Sequence, residues 1–160
     1  MCKGRTSMIL ILYEIFYYCE IISFNYIREY ISEEEASKKT IQRYIRFLED
    51  AGLIQAKYSK AQRAYIPIGN GENHLPKLPD EKPKRLYMEK IIRLCTLMTD
   101  VAMKALENPV AWYRERYPNL SDRTRLRDFR QLREIGYVIE YLPADEDGPA
   151  GYYYSYPGRF

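Results

Sequence analysis

The sequence predicts a mainly α-helical chain with small β-hairpin wings, built as two tandem copies of one small domain. A chain of 160 residues is long enough for two small cores. A segment rich in Pro and Gly, residues 69–84, separates two regions of apolar periodicity and is typical of a linker. Six identical residues also recur at an offset of 84 residues, which indicates a duplication. The six pairs are Ser37/Ser121, Thr40/Thr124, Arg43/Arg127, Arg46/Arg130, Leu48/Leu132 and Gly52/Gly136.

We therefore expect a first domain over residues 1–68 and a second over residues 85–160. The elements predicted for the first domain are helices over 7–23, 24–30 and 37–51, followed by strands over 53–58 and 64–68. Ser37 supplies an N-cap oxygen for the third helix, and Gly52 provides the left-handed residue that a helix C-terminus needs. Ile41, Ile45 and Leu48 form one apolar stripe along that helix. Three helices and a hairpin in this order predict a winged helix-turn-helix.

The second copy predicts the same order of elements. Its helices are expected over 86–106, 109–117 and 121–135, and its strands over 137–142 and 152–156. Pro109 stands at the first position of the second helix, where proline is well tolerated. The hairpin tip, residues 144–151, is acidic and contains two glycines. The sequence therefore predicts two tandem winged helix-turn-helix domains.

Composition and charge place the chain among globular proteins of the cytoplasm. Apolar residues make up 46% and charged residues 29% of the sequence, and the net charge is only +3. Three widely spaced cysteines without a CxxC pair argue against a disulfide scaffold or a thiolate zinc site. The apolar run near the N-terminus is interrupted by Glu14 and lacks a signal-peptide cleavage site.

The third helix of the first copy has the charge pattern of a DNA-binding surface. Between Ser37 and Arg46 there are four positive charges and no negative one, and the helix N-terminus itself favours anions. A glutamine amide pairs well with adenine, while arginine addresses guanine or the phosphate backbone. The candidate contacts on this helix are Lys38, Lys39, Gln42, Arg43 and Arg46. Basic residues on an exposed helix face are often merely solvated, but the capping serine, the helix order and the hairpin favour DNA.

The two predicted hairpins differ in the sign of their net charge. The first has Lys57, Lys60 and Arg63 and no acidic residue, so it suits the sugar-phosphate backbone or a minor groove. The second has the run Asp145–Asp147, which repels phosphate. The third helix of the second copy is still basic, with Arg123, Arg125, Arg127, Arg130 and Arg133. We therefore expect the first copy to be the stronger DNA contact, while the second copy is either a DNA reader or a protein-contact domain.

The segments SKKTIQRYIRFLEDAGLI and SDRTRLRDFRQLREIGYVI resemble the DeoR-type winged helix at the N-termini of WYL-type bacterial transcriptional regulators. In that family this helix enters the major groove. The resemblance implies DNA contacts at Ser37, Lys39, Thr40, Gln42 and Arg43, and at Ser121, Arg123, Thr124 and Arg127. Two positions depart from the pattern. Tyr44 replaces an aspartate, and Arg125 stands where an apolar residue is expected, with Leu126 beside it.

The first helix predicts a homodimer. Apolar residues cover more than one face of it, and a small domain core needs only one. We expect the surplus, around Met8, Ile11, Leu12 and Ile15, to meet a second subunit. The alternative is burial against the second domain of the same chain.

Catalysis finds little support in the sequence. The single histidine, His74, lies in the expected linker, and there is no phosphate-binding loop or metal-ligand motif. We expect no enzyme activity, no cofactor and no metal. The favoured function is a sequence-specific double-stranded DNA-binding transcriptional regulator, with paired sites about one helical turn, ~34–36 Å, apart. A winged-helix protein adaptor and a tandem winged-helix replication initiator remain the alternatives.

Overall fold

The computed structural model describes residues 3–68, 74–103 and 108–159. The described chain is a mixture of α-helices and small antiparallel sheets, with about half of the residues in helices. The helices are α1 (Arg5–Tyr18), α2 (Phe24–Arg28), α3 (Lys38–Asp50), α4 (Lys82–Thr96), α5 (Pro109–Arg116) and α6 (Asp122–Arg133). A π-helical segment, Leu97–Met103, follows α4. The strands are β1 (Ile22–Ser23), β2 (Ala56–Ser59), β3 (Ala64–Pro67), β4 (Val138–Leu142) and β5 (Gly151–Ser155).

The chain divides into two compact units, residues 1–95 and 96–160, so the division falls inside the region expected to start the second domain. Most of α4 belongs to the first unit because its N-terminal half packs against α1 and α3. The hydroxyls of Tyr87 and Thr6 are 2.9 Å apart, and the Arg5 guanidinium lies 4.5 Å from the Tyr87 ring centroid. The Phe47 ring is 5.7 Å from the same ring.

Part of the expected linker is tied to the end of α3. The backbone N–H of His74 donates to the Gly52 carbonyl (3.0 Å), and that of Lys77 donates to the Asp50 carbonyl (2.7 Å). The His74 ring also hydrogen-bonds the Gln55 side chain (2.6 Å). Residues 74–77 therefore form part of the first unit, while residues 69–73 lie outside the described residues.

The predicted first helix, residues 7–23, is wrong at its C-terminal end. α1 stops at Tyr18, where Cys19 takes an extended backbone conformation, and Ile22–Ser23 then pairs with β3. The sheet is antiparallel with the order β1-β3-β2. This pairing buries Ile22 completely, which explains why an apolar residue stands there.

The α1 residues expected at a dimer interface are buried within the chain. Met8, Ile11, Leu12 and Ile15 are at most 5% exposed, and every residue from Ser7 to Phe16 is buried. Other parts of the same chain therefore cover these residues. The homodimer through α1 stays a prediction.

The second unit contains α5, α6 and the hairpin β4–β5, with Tyr141 opposite Tyr152. Its predicted helices and strands are found within a few residues of their expected bounds. The predicted helix over 86–106 is divided between α4 and the π-helical segment, and residues 104–107 lie outside the described residues. The buried centre of the second unit is formed by Tyr113, Leu132, Ile135 and Tyr137.

The ends of α3 and α6 repeat one another closely. The Ser37 hydroxyl accepts the backbone N–H of Thr40, and the Ser121 hydroxyl accepts that of Thr124, both at 3.2 Å. At the C-terminal ends, Gly52 and Gly136 have φ angles of 73° and 97°. The predicted N-cap at Ser37 and the predicted left-handed glycine at Gly52 are confirmed, and Ser121 and Gly136 take the same roles in the second copy.

We expect Gly52→Ala to lower the free energy of unfolding by about 1–3 kcal/mol, because alanine is strained at this positive φ. Its added Cβ would also collide with the carbonyl oxygen of His74. Urea denaturation followed by circular dichroism measures the change. Gly4→Ser is the control, since nothing lies within 4 Å of a Cβ at Gly4. Equal stability of Gly52→Ala and the wild type would contradict the left-handed turn at Gly52 and its contact with residue 74.

Glu35 fastens the segment before α3 to the start of the chain. Its carboxylate accepts the backbone N–H groups of Ser32 (3.0 Å) and Lys3 (3.1 Å) and pairs with the Lys3 ammonium (3.3 Å). These hydrogen bonds, led by that from Ser32, lower the pKa of Glu35 from 4.5 to about 2. Ionised Glu35 therefore stabilises the folded state above pH 4.5, and this contribution is lost as the pH falls towards 2.

The difference in urea midpoint between the wild type and Glu35→Gln should therefore be largest above pH 4.5 and shrink towards pH 2. Glu34→Gln, at an exposed neighbouring position, serves as the control. A difference that stays constant over this pH range would show that the Glu35 charge does not stabilise the fold.

Candidate nucleic-acid interface

Helix α3 separates its apolar and basic residues onto opposite faces. Ile41, Ile45 and Leu48 are buried, at most 1% exposed. The opposite face carries four predicted DNA contacts at the spacing i, i+3, i+4, i+7, which places them side by side along the helix. They are Lys39, Gln42, Arg43 and Arg46, of which the three basic residues are exposed and Gln42 is half-buried. The structure thus brings these four predicted residues together on one surface.

Ser37 and Thr40 shape the start of this surface. The Ser37 hydroxyl caps α3, and the hydroxyl of Thr40 accepts a hydrogen bond from the Arg43 guanidinium (3.3 Å). Both side chains are therefore engaged within the helix. Ser37 therefore fixes the start of the helix, and Thr40 orients Arg43. Direct contact of either side chain with DNA stays a prediction.

Lys38 lies to one side of the basic face. Its ammonium is 4.7 Å from the centroid of the Phe24 ring on α2, a distance at which cation–π attraction operates. The Phe24 ring in turn contacts Tyr65 on β3, with the centroids 5.9 Å apart. Lys38 therefore stands next to the sheet. This contact was not predicted from the sequence, because Phe24 and Lys38 lie on different helices.

The hairpin β2–β3 adds a second basic surface to the first unit. Lys57, Lys60 and Arg63 are exposed, and Ala56–Pro67 contains no acidic residue. At the turn the Ser59 hydroxyl accepts the N–H of Gln62 (3.3 Å), and Arg63 has a left-handed φ of 51°. This unusual conformation for arginine completes the turn between the strands.

Arg46 provides an electrostatic link between α3 and the hairpin. The pKa of Tyr65 on β3 is raised by burial first and then by the Glu49 charge, while Arg46 opposes the rise. Burial and Asp50 likewise raise the pKa of Glu49, again against Arg46. These interactions indicate that the charges of Glu49 and Arg46 on α3 act on the Tyr65 hydroxyl of β3.

Helix α6 presents the same spacing in the second unit. Arg123, Arg127 and Arg130 are exposed at i, i+4 and i+7, and Leu126 stands at the position that corresponds to Gln42. Ser121 caps the helix, and its hydroxyl is 3.1 Å from that of Thr124. All five predicted contacts of this copy therefore lie on or at the start of α6.

At the start of α6 Asp122 pairs with Arg114 (3.1 Å), which lowers the pKa of Asp122 and raises that of Arg114.

The inner face of α6 is polar where that of α3 is apolar. The Arg125 side chain is only 12% exposed and its guanidinium lies 5.5 Å from the Phe129 ring centroid, whereas Leu126 is 53% exposed. Asp128, 1% exposed, accepts a 2.7 Å hydrogen bond from the Tyr113 hydroxyl. The register of α6 thus follows that of α3, although arginine occupies the inner position.

The sequence offered one signal for the buried aspartate. Asp128 lies four residues before Leu132, which is buried, so helical spacing puts both on the inner face. Its partner Tyr113 is on α5 and had no such signal.

The remaining candidate chemistry is sparse in the described part of the chain. Residues 3–68, 74–103 and 108–159 contain no group of three or more side chains arranged to hold a metal ion. Burial raises the pKa of the Cys95 thiol well above its usual range. Cys19 is only half-buried, and its thiol donates to the Tyr26 hydroxyl (3.5 Å). Among the described residues no helix has the length and apolar content needed to cross a bilayer.

Comparisons with known proteins do not assign a family. A scan against models of protein families finds no match, and a search of curated proteins finds no significant similarity. The geometry of the two basic helices therefore carries the functional argument.

We expect Tyr113→Phe to lower the free energy of unfolding of the second unit by about 1–3 kcal/mol, because the change leaves the buried Asp128 carboxylate without that donor. Tyr153→Phe, which removes an exposed hydroxyl, should change stability by less than about 0.5 kcal/mol. Urea denaturation of both variants makes the comparison. Equal effects would show that the Tyr113–Asp128 hydrogen bond does not hold α5 and α6 together.

Proposed function

We propose that this chain is a sequence-specific double-stranded DNA-binding transcriptional regulator of the cytoplasm, built from two tandem winged helix-turn-helix domains. The observation that carries the proposal is the basic face of α3, with Lys39, Arg43 and Arg46 exposed opposite a buried apolar stripe. A helix with such a face fits the width of the major groove and presents donors to phosphate oxygens and base edges.

The arrangement of the first unit supports a winged helix. Its order is helix, short strand, two helices and a hairpin, and the short strand pairs with β3 in the order β1-β3-β2. The hairpin then forms a basic wing beside α3. The resemblance of about eighteen residues in each copy to DeoR-type domains agrees with this assignment, and the matching caps of α3 and α6 agree with a duplication.

We assign the residues of the first unit to distinct tasks. Gln42 lies between Lys39 and Arg46 on the exposed face, where its amide can pair with an adenine edge. Arg43 addresses guanine or a phosphate, and its hydrogen bond to Thr40 orients it. Lys39 lies in the first turn of α3, where unpaired N–H groups also favour a phosphate.

The wing and the second unit extend the contact. Lys60 and Arg63 meet the sugar-phosphate backbone, because their hairpin is uniformly basic. Arg123, Arg127 and Arg130 on α6 form the second DNA-binding face, and Leu126 suits the methyl group of thymine rather than a polar base edge. This second face is the weaker one, since its own hairpin is acidic.

Lys39→Ala and Arg43→Ala should each weaken binding to a random-sequence duplex by about five- to tenfold and lower the salt slope by about one, because each removes one phosphate-seeking cation. Fluorescence anisotropy across a potassium chloride series measures both quantities. Lys82→Ala is the matched control, as it removes an exposed positive charge from the start of α4. Its affinity should stay within about twofold of the wild type.

Two results would contradict the proposal. One is the absence of duplex binding at low salt. The other is an equal loss of affinity in Lys39→Ala, Arg43→Ala and Lys82→Ala, which would show that only the total charge matters.

A further inference from the structure

The second hairpin has the opposite charge to the first. The segment from Val138 to Ser155 contains four acidic residues and no basic one, whereas Ala56–Pro67 in the first hairpin contains three basic residues and no acidic one. The four acidic residues are Glu140, Asp145, Glu146 and Asp147. A negatively charged surface repels nucleic acids and anionic lipids. We therefore expect a partner of the second hairpin to be positively charged.

The acidic tip has a defined shape. The Asp145 carboxylate accepts the backbone N–H groups of Asp147 (2.9 Å) and Gly148 (3.0 Å), and the Asp145 N–H donates to the Gly148 carbonyl (3.0 Å). One carboxylate therefore builds the turn. Glu146 and Asp147 occupy the centre of the turn and are exposed, so their charges face solvent side by side.

One face of the hairpin combines aromatic, apolar and acidic groups. Glu140 lies directly opposite Tyr153, and Leu142 is two residues after Glu140 on β4, so the side chains of Glu140, Leu142 and Tyr153 share a face. Tyr153 is 50% exposed and Leu142 is 49% exposed. Interfaces are enriched in tyrosines of this kind, which offer a broad ring and a polar tip. We call this strand face, formed by Glu140, Leu142 and Tyr153, together with the exposed tip residues Glu146 and Asp147, the acidic-aromatic face.

This face already holds one arginine of the chain itself. The Arg133 guanidinium pairs with the Glu140 carboxylate at 3.1 Å while both side chains stay largely exposed. In the described part of the chain β4 and β5 pair only with each other, so each strand has one edge without a strand partner.

We propose that the acidic-aromatic face binds an extended, Lys/Arg-rich segment of a partner protein. The cationic groups of such a segment stack on the Tyr153 ring and pair with Glu146 and Asp147. Their aliphatic stems cover Leu142. This assignment follows from the charge and shape of the second hairpin alone and does not depend on DNA binding by α3.

The test uses the full chain and a fluorescein-labelled peptide of nine arginines, with binding followed by anisotropy at low salt. Tyr153→Ala and the double variant Glu146→Gln/Asp147→Asn should each weaken binding by about five- to tenfold. The double variant Glu33→Gln/Glu34→Gln is the matched control, because it neutralises two adjacent exposed carboxylates in the other unit. It should leave the affinity within about twofold of the wild type. Circular dichroism verifies that each variant is folded.

The proposal would be overturned if the wild type did not bind the peptide. An equal loss of affinity in the Glu33/Glu34 control, or unchanged affinity in Tyr153→Ala, would overturn it as well. Self-association of the wild-type chain that Tyr153→Ala abolishes would assign the face to a second copy of this chain and would also overturn it.

Discussion

Burial of the apolar stripe on α3 is the constraint on which the rest of the site depends. Ile41, Ile45 and Leu48 point inward. Helical geometry therefore places the basic face on the opposite side of the helix. This face consists of Lys39, Gln42, Arg43 and Arg46. The Ser37 cap fixes where the helix starts and so where this face begins. In the same unit β1 pairs with β3, which holds the basic hairpin against the segment that leads into α2.

The second unit keeps the local geometry and changes the chemistry. α6 has the same cap, the same left-handed glycine after its end and the same spacing of exposed arginines as α3. Its inner face is instead held by Arg125 and by the buried Asp128–Tyr113 hydrogen bond. Its hairpin is acidic where the first is basic. The two units thus combine similar helix ends with hairpins of opposite charge.

Local sequence signals predicted the bounds of α3 and α6 well. Where the structure differs from the sequence prediction, pairing between distant parts of the chain explains most of the difference. A capping serine and a terminal glycine act within a few residues, so they are readable from the sequence. The short strand at Ile22 exists only because β3 lies beside it, and the hydrogen bond of the buried Asp128 needs Tyr113 on another helix. Long-range contacts also decide where α4 belongs, because its Tyr87 contacts Thr6 and Arg5. The boundary between the two units therefore lies after the Pro-rich segment, inside α4.

The central claim is that α3 enters the major groove, and dimethyl sulfate footprinting on a duplex selected from a random pool tests it most directly. The reagent methylates guanine N7, which faces the major groove, and adenine N3, which faces the minor groove. We predict that the bound protein protects guanine N7 and that a Gln42→Ala/Arg43→Ala double variant loses this protection. Protection of adenine N3 alone, or guanine protection unchanged in the variant, would contradict the account.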